Sequence, residues 1–189
     1  MGNCGWVYYV RMAFENLSPN PEVKSDASDD NARKFVVAGS LSPEYLRDMK
    51  ATGFRLTVDW LEMSDDRETK LVYKEYDDGE VQLLRITKEA NEEGRRARKT
   101  PVAMDHYLEA VADSQRRVLK RRHEFKHVQH KMIFNMKYDE FEGSDLRLIE
   151  VDAPTDEERR SFDHTDFVVG LEEVSDDPHY TGYRVAEVL

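Results

Sequence analysis

The chain has 189 residues, which is enough for one domain with a sizeable core. A single cysteine, Cys4, excludes a framework of intramolecular disulfides, and no apolar run approaches the length of a membrane span. The 39 acidic and 28 basic residues give a formal net charge of -11, which argues against non-specific binding of nucleic acid by the whole surface. We therefore expect a cytoplasmic protein with no membrane or DNA partner, in which an anionic ligand binds a local basic cavity.

The N-terminal part of the chain has the composition of a linker. Residues 16–31 are rich in Ser, Asn, Pro and Asp and contain few apolar side chains. Segments of this kind cannot bury enough apolar surface to offset the entropy lost on ordering. We predict a flexible N-terminal extension over residues 1–28 and one folded domain over residues 29–189.

Glycine and proline mark the first elements of this domain. A predicted strand over 34–38 is followed by Ser42 and Pro43, the residue types that start a helix. Leu46 and Met49 would face the core, and Gly53 would end the helix. A second strand is predicted over 54–61, where apolar and polar residues alternate.

The strongest hairpin signal in the sequence is Asp77-Asp78-Gly79, which lies between predicted strands at 70–76 and 80–88. The longest predicted helix follows, because Met104, Tyr107, Leu108, Val111 and Val118 recur at helical spacing. Five cations lie near its expected C-terminal end, where the helix dipole favours positive charge. They are Arg116, Arg117, Lys120, Arg121 and Arg122.

Two more strands and a short helix complete the predicted domain. The strands span 132–141 and 146–153 and are joined by Gly143-Ser144-Asp145. Thr155 followed by Glu158 is a capping box, which predicts a helix start. The fold class is therefore α+β, rich in antiparallel strands.

The central hairpin places several cations on one face. Lys70 and Lys74 share a face because alternate residues of a strand point the same way. A two-residue turn would add Arg85 to that face, whereas a three-residue turn with a bulge would add Lys88. Converging cations repel one another in a closed space unless an anion lies between them, so this face predicts a phosphate site.

The second half of the chain carries four short motifs in a defined order. They are Lys120-Arg121-Arg122-His123, Tyr138-Asp139-Glu140-Phe141-Glu142-Gly143, Ile149-Glu150-Val151-Asp152, and Gly170-Leu171-Glu172-Glu173-Val174 with Tyr180 beyond it. Together they resemble the CYTH superfamily, the triphosphate tunnel proteins that include class IV adenylate cyclases, thiamine triphosphatases and inorganic tripolyphosphatases. The resemblance implies an antiparallel β-barrel with flanking helices, whose lumen holds basic residues against a triphosphate and acidic residues against divalent metal ions.

The resemblance also implies a role for individual residues. The phosphate ligands would be Lys34, Lys74, Arg85, Lys88 and Arg122, with Arg33 and Lys70 as secondary candidates. The ligands of Mg²⁺ or Mn²⁺ would be Glu150, Asp152 and Asp139, with Asp30 as a further candidate. On its first strand the family has the pattern Glu-x-Glu-x-Lys, and the corresponding segment here is Asp30-Asn31-Ala32-Arg33-Lys34, in which Asp30 stands for the first glutamate and Ala32 replaces the second. Ala97 and Lys99 stand where a further acidic pair is expected, so the metal ligands are depleted.

These residues predict a protein that binds tripolyphosphate, thiamine triphosphate or a nucleoside triphosphate and hydrolyses it with a divalent metal. Cyclisation of ATP would use the same phosphate site with the ribose hydroxyl as the nucleophile. The missing acids at Ala32 and Ala97 also allow a non-catalytic module that binds a nucleotide or polyphosphate.

A fourth alternative is a zinc hydrolase, because residues 123–127 read His-Glu-Phe-Lys-His. On a helix, His123, His127 and His130 would share a face, and Glu124 could act as the general base. The surrounding charged side chains argue against a buried zinc site, and the CYTH resemblance places this segment on a strand, where the three imidazoles could not converge.

Overall fold

The computed structural model describes residues 32–91 and 94–188. The predicted extension over residues 1–28 and the predicted metal ligand Asp30 lie outside these ranges. Within them the chain forms nine strands, four α-helices and two short 3-10 helices, in agreement with the predicted α+β class.

The strands all pair antiparallel in one sheet with the order β5-β4-β3-β2-β6-β7-β8-β1-β9. Their bounds are β1 Arg33–Ala38, β2 Thr52–Met63, β3 Arg67–Tyr76, β4 Val81–Asn91, β5 Gly94–Pro101, β6 Arg116–Gln129, β7 Met132–Phe141, β8 Arg147–Asp152 and β9 Gly170–Glu173. Strands β5 and β9 are the edges of this sheet. The described pairings do not close it by hydrogen bonds, so the closed barrel stays a prediction.

The helices are short and lie between or after the strands. Their bounds are α1 Pro43–Asp48, α2 Met104–Val111, α3 Asp156–Arg160 and α4 Gly182–Val188, with 3-10 turns at His164–Asp166 and Pro178–Tyr180. The predicted starts of α1 and α3 are confirmed, since Ser42 caps the first and Thr155 forms a capping box with Glu158 on the second. The predicted stop at Gly53 is wrong, because Gly53 lies within β2. In the described part of the chain, no helix combines the length and apolarity that crossing a membrane requires.

The predicted helix from Met104 to Val118 is wrong beyond Val111, because the chain leaves the helix there and enters β6 at Arg116. The cations assigned to a helix end therefore lie on a strand between β2 and β7. Two neighbouring strands satisfy the backbone hydrogen bonds of this segment, and Val118 and Lys120 are buried on one face by alternation. These pairings outweigh the weak helical spacing.

The turn between β3 and β4 has three residues. Tyr76 and Glu80 are joined by a backbone hydrogen bond of 2.9 Å, and Gly79 has φ +87, a conformation that glycine adopts without strain. The resulting register pairs Glu68 with Lys88 and Leu71 with Arg85. Lys88 therefore lies on the face of Lys70 and Lys74, and Arg85 lies exposed on the other face.

The two faces of the sheet have different coverings. On the outer face, α1 and the segment after β8 pack over a core that includes Phe35, Phe134 and Ile149, while α2 packs against Leu71 and Leu83. Leu46 and Met49 contact the first of these cores, as predicted. The inner face curves around a cavity, and α4 packs at one end of it, where the ring of Tyr183 lies edge-on to Trp60 at 6.0 Å.

Candidate phosphate-binding site

The inner face of the sheet lines a cavity of about 280 Å³. Eight cationic side chains line it: Lys34, Lys70, Lys74, Lys88, Lys99, Lys120, Arg122 and Lys137. Three carboxylates line it among the residues that the structure describes: Glu68, Glu124 and Glu150. Positive charge is therefore in large excess at this place, although the whole chain has a net charge of -11.

These charged side chains reach the cavity because alternate residues of a strand point to the same face of the sheet. Lys120, Arg122 and Glu124 are alternate residues of β6, and Lys70 and Lys74 are separated on β3 by the apolar Val72, which also lines the cavity. The intervening residues of both strands point to the outer face. The curvature of the sheet brings strands that are distant in the hydrogen-bonded order around one volume.

Asp139 on β7 holds two of the cations in place through hydrogen bonds. Its carboxylate accepts two hydrogen bonds of 2.6 Å from the guanidinium of Arg122 and one of 2.5 Å from Lys120 Nζ. The Asp139 side chain is only 2% exposed. A buried, bidentate pair of this kind is rigid, so Arg122 presents its remaining donors to the cavity in a fixed orientation.

Glu150 on β8 lies among four cations. Its Oε2 is 3.7 Å from Arg122 Nη2 and 3.9 Å from Lys137 Nζ. Burial alone would raise the pKa of Glu150, but the surrounding cations lower it to about 2. In decreasing order of effect, these cations are Arg122, Lys137, Lys120 and Lys34. Glu150 is therefore ionised at neutral pH and its charge is already compensated by protein groups.

Glu68 forms a second polar cluster beside α4. Its Oε1 accepts hydrogen bonds from the indole N–H of Trp60 at 3.1 Å and from Lys70 Nζ at 2.7 Å. Burial opposes the charged form of Glu68, yet Lys70 and Lys88 lower its pKa below the ordinary value. Glu68 thus holds Lys70 in place at the wall of the cavity.

Several of the lysines are held in surroundings that disfavour their charge. Burial lowers the pKa of Lys70, Lys74 and Lys120, and neighbouring cations add to the effect. An anion placed among these ammonium groups would offset the energetic cost of their desolvation and of their mutual repulsion. The electrostatics of the cavity therefore favour a ligand with several negative charges.

The structure brings five of the seven predicted phosphate ligands into this cavity: Lys34, Lys70, Lys74, Lys88 and Arg122. Arg85 does not join them, because the three-residue turn places it on the outer face. Arg33 also points away, since it neighbours Lys34 on β1 and successive side chains alternate. Its guanidinium instead makes hydrogen bonds of 2.8 and 2.7 Å to Glu173 and one of 2.8 Å to the carbonyl of Phe162.

The three predicted metal ligands that the structure describes are not brought together. Glu150 lines the cavity, but Asp139 is engaged by Lys120 and Arg122, and Asp152 lies 3.7 Å from Arg159 outside the cavity lining. Among the residues that the structure describes, no group of three or more His, Cys, Asp or Glu side chains could hold a metal ion. The described carboxylates therefore do not form a ready divalent metal site.

Five charged lining residues were absent from the predicted phosphate and metal ligands: Glu68, Lys99, Lys120, Glu124 and Lys137. Lys120 and Glu124 alternate with the predicted ligand Arg122, so reading β6 as a strand would have found them. Lys137 likewise alternates with Asp139 on β7. Lys99 stands where the resemblance implied an acidic residue, and the register of β5 against β4 places it opposite Ile86 at the cavity wall.

The zinc hydrolase alternative is wrong, because the segment from His123 to His127 lies on β6. Four residues along a strand span about 13 Å, too far for two imidazoles to share one zinc ion. His123 stacks on Tyr138, and His127 packs edge-on against Phe167. Both are outer-face packing residues.

No model of a known protein family matches the chain, and no curated protein does. Solved structures do match it, among them one of the hypothetical protein NE1496 and one of the inorganic triphosphatase NE1496. Each is 21% identical to this chain, with a TM-score of 0.56, and the match covers 82% of this chain and 95% of the solved one. The resemblance predicted from the sequence is therefore confirmed at the level of the fold.

Proposed function

We propose that this protein is a member of the CYTH superfamily that binds a triphosphate in the inner cavity and hydrolyses it. The observation that carries the proposal is that the described lining of one cavity of about 280 Å³ holds eight cations and three carboxylates. The likeness to NE1496, an inorganic triphosphatase, supports the same reading. In this proposal the curved sheet acts as the triphosphate tunnel.

The size of the cavity favours a compact substrate. Pockets for drug-sized ligands have volumes of about 300 to 1,000 Å³, and this cavity lies at the small end of that range. Inorganic tripolyphosphate has no organic part and needs the least space there, so we propose it as the substrate. Cyclisation of ATP would additionally require room for the ribose beside the phosphates.

The lining residues could act mainly by position and charge. Hydrolysis transfers the terminal phosphoryl group to water, breaks one P–O–P bond and leaves negative charge on the departing phosphate. Ammonium and guanidinium groups held around that oxygen would stabilise the developing charge. Arg122, fixed by Asp139, and Lys70, fixed by Glu68, are the best-oriented groups for this role.

A divalent metal stays part of the proposal for the hydrolytic step. Mg²⁺ is commonly held by one or two carboxylates together with the phosphates of its substrate, so it could arrive with the triphosphate. A non-catalytic polyphosphate-binding module is the second candidate. It is favoured by the lack of a three-ligand metal group among the described residues.

A ligand and product panel tests these functions. Thermal unfolding and phosphate release should be measured with tripolyphosphate, thiamine triphosphate, ATP and GTP, each with and without Mg²⁺ and Mn²⁺. We expect tripolyphosphate to stabilise the protein most and to be hydrolysed. Stabilisation without phosphate release under any condition would support the binding module, and no stabilisation by any triphosphate would refute the site.

A further inference from the structure

Four charged residues form an alternating row across four neighbouring strands. Glu124 on β6 pairs with Lys137 on β7, Lys137 pairs with Glu150 on β8, and Glu150 pairs with Lys34 on β1. All four line the cavity. Since directly opposed residues have Cβ atoms about 5 Å apart, each carboxylate in the row has a lysine beside it.

Lys137 is the residue between Glu124 and Glu150 in this row. The two glutamates lie two strand spacings apart, about 10 Å between Cα atoms, and Lys137 separates them. Its Nζ is 3.9 Å from Glu150 Oε2, and its side chain is 21% exposed. A divalent metal ion that bridged the two carboxylates would supply positive charge at the same place.

We propose that the ammonium group of Lys137 takes the place of a divalent cation between Glu124 and Glu150, so that the cavity binds triphosphate without metal. The inference rests on the proposed function and deepens it by assigning a specificity-determining residue. Free carboxylates in the cavity would repel a triphosphate, and in other proteins a metal removes that repulsion. Here the covalently attached lysine removes it.

The row also predicts what removal of the Lys137 charge would do. Without it, Glu124 and Glu150 would repel the ligand and would also be available to bind a divalent ion. A Lys137→Met variant keeps the length and apolar stem of the side chain but removes its charge. Triphosphate binding by this variant should therefore become dependent on added Mg²⁺.

Isothermal titration calorimetry of the full chain with tripolyphosphate, in EDTA and in excess Mg²⁺, tests the inference. We expect the parent to bind in EDTA and Lys137→Met to bind about tenfold or more weakly there, the loss typical of a charge-assisted hydrogen bond. Added Mg²⁺ should restore most of the affinity of Lys137→Met, while Lys137→Arg should bind like the parent in EDTA. Lys126→Met is the matched control, because Lys126 is exposed on the same hairpin outside the cavity lining.

The outcomes separate this inference from the proposed function. Parent protein that binds tripolyphosphate only with Mg²⁺ overturns the role of Lys137 and leaves the proposed function standing. Parent protein that binds in neither buffer overturns both. Equal loss for Lys137→Met in both buffers, with an unchanged unfolding temperature of the unliganded protein, overturns the cation-replacement role and identifies Lys137 as a plain phosphate ligand.

Discussion

Arg122 and Asp139 are joined by two parallel hydrogen bonds of 2.6 Å at the floor of the cavity, and Lys120 adds a third to the same carboxylate. The sequence predicted Asp139 as a metal ligand. Its surroundings instead give it a positioning role, because its lone pairs already serve two buried cations. Removing that carboxylate would take from both cations the counter-charge to which they are hydrogen-bonded.

Asp139→Asn should therefore destabilise the fold by about 3 to 5 kcal/mol, the cost typical of breaking a buried ion pair on one side. Urea unfolding measures this loss. Saturating tripolyphosphate should recover part of it, because the ligand supplies the missing negative charge. Asp145→Asn, in the exposed turn before β8, is the control and should change the unfolding free energy little. An Asp139→Asn variant as stable as the parent would contradict the stabilising role of the buried ion pairs that Asp139 makes with Arg122 and Lys120.

Lys88 and Arg85 test which face of β4 binds phosphate. Lys88→Gln should weaken tripolyphosphate binding about tenfold or more, because it removes a cation from the cavity lining. Arg85→Gln, on the opposite and exposed face, should leave the affinity unchanged. Calorimetric titration of both variants against the parent gives the comparison. An equal effect of the two substitutions would mean that the ligand binds elsewhere on the hairpin.

The hairpin also shows how far a sequence predicts such a site. Asp77-Asp78-Gly79 predicted the turn, but both turn lengths were compatible with it, and the choice between Arg85 and Lys88 needed the register. Lys99 shows the same limit more strongly. Its place at the cavity depends on pairing between strands and on the curvature of the whole sheet, neither of which is a local property of the sequence.

Segment 104–122 shows the opposite problem, a local signal that tertiary contacts override. The helical spacing of Met104, Tyr107 and Val111 is real, and α2 follows it. Extending the helix to Val118 treated a strand residue as part of the same pattern. The alternation of Lys120, Arg122 and Glu124 has the period of a strand, and it correctly indicates β6, which is paired along both edges.

Arg33 and Lys34 are neighbours in sequence with different expected roles. Arg33→Gln should lower stability without changing tripolyphosphate affinity, because Arg33 pairs with Glu173 on the outer face. Lys34→Gln should do the reverse, since Lys34 lines the cavity. Calorimetric titration and urea unfolding of both variants measure the two effects. Weaker ligand binding by Arg33→Gln than by Lys34→Gln would contradict the assignment of faces.

The Arg33 contact should also have a recognisable pH dependence. Hydrogen bonds from Arg33 lower the pKa of Glu173 from 4.5 to about 2. Because the folded pKa is depressed, the stabilisation is complete above pH 4.5 and is lost as the pH falls towards 2. The stability difference between the parent and Arg33→Gln should therefore shrink over this range. Urea unfolding of both proteins at several acidic pH values measures it, and a constant difference would exclude Glu173 as the partner.

Among the predicted metal ligands that the structure describes, Glu150 alone lines the cavity, and four cations surround it. Glu150→Gln keeps the shape of the side chain and removes the negative charge that faces the ligand. Tripolyphosphate should then bind metal-free protein at least as tightly as it binds the parent, because Arg122, Lys137 and Lys34 lose an internal competitor. Any hydrolysis that requires a divalent ion should fall strongly, since an amide oxygen is a poor substitute for a carboxylate.

Calorimetry in EDTA and phosphate release with Mg²⁺ or Mn²⁺ separate these two effects of Glu150→Gln. Glu142→Gln is the matched control, because Glu142 is exposed in the turn after β7 and should change neither binding nor hydrolysis. Parent-like hydrolysis by Glu150→Gln would show that Glu150 does not serve a metal ion during turnover. Weaker binding in EDTA would show that Glu150 favours triphosphate binding by orienting the surrounding cations more than it opposes binding by repelling the triphosphate.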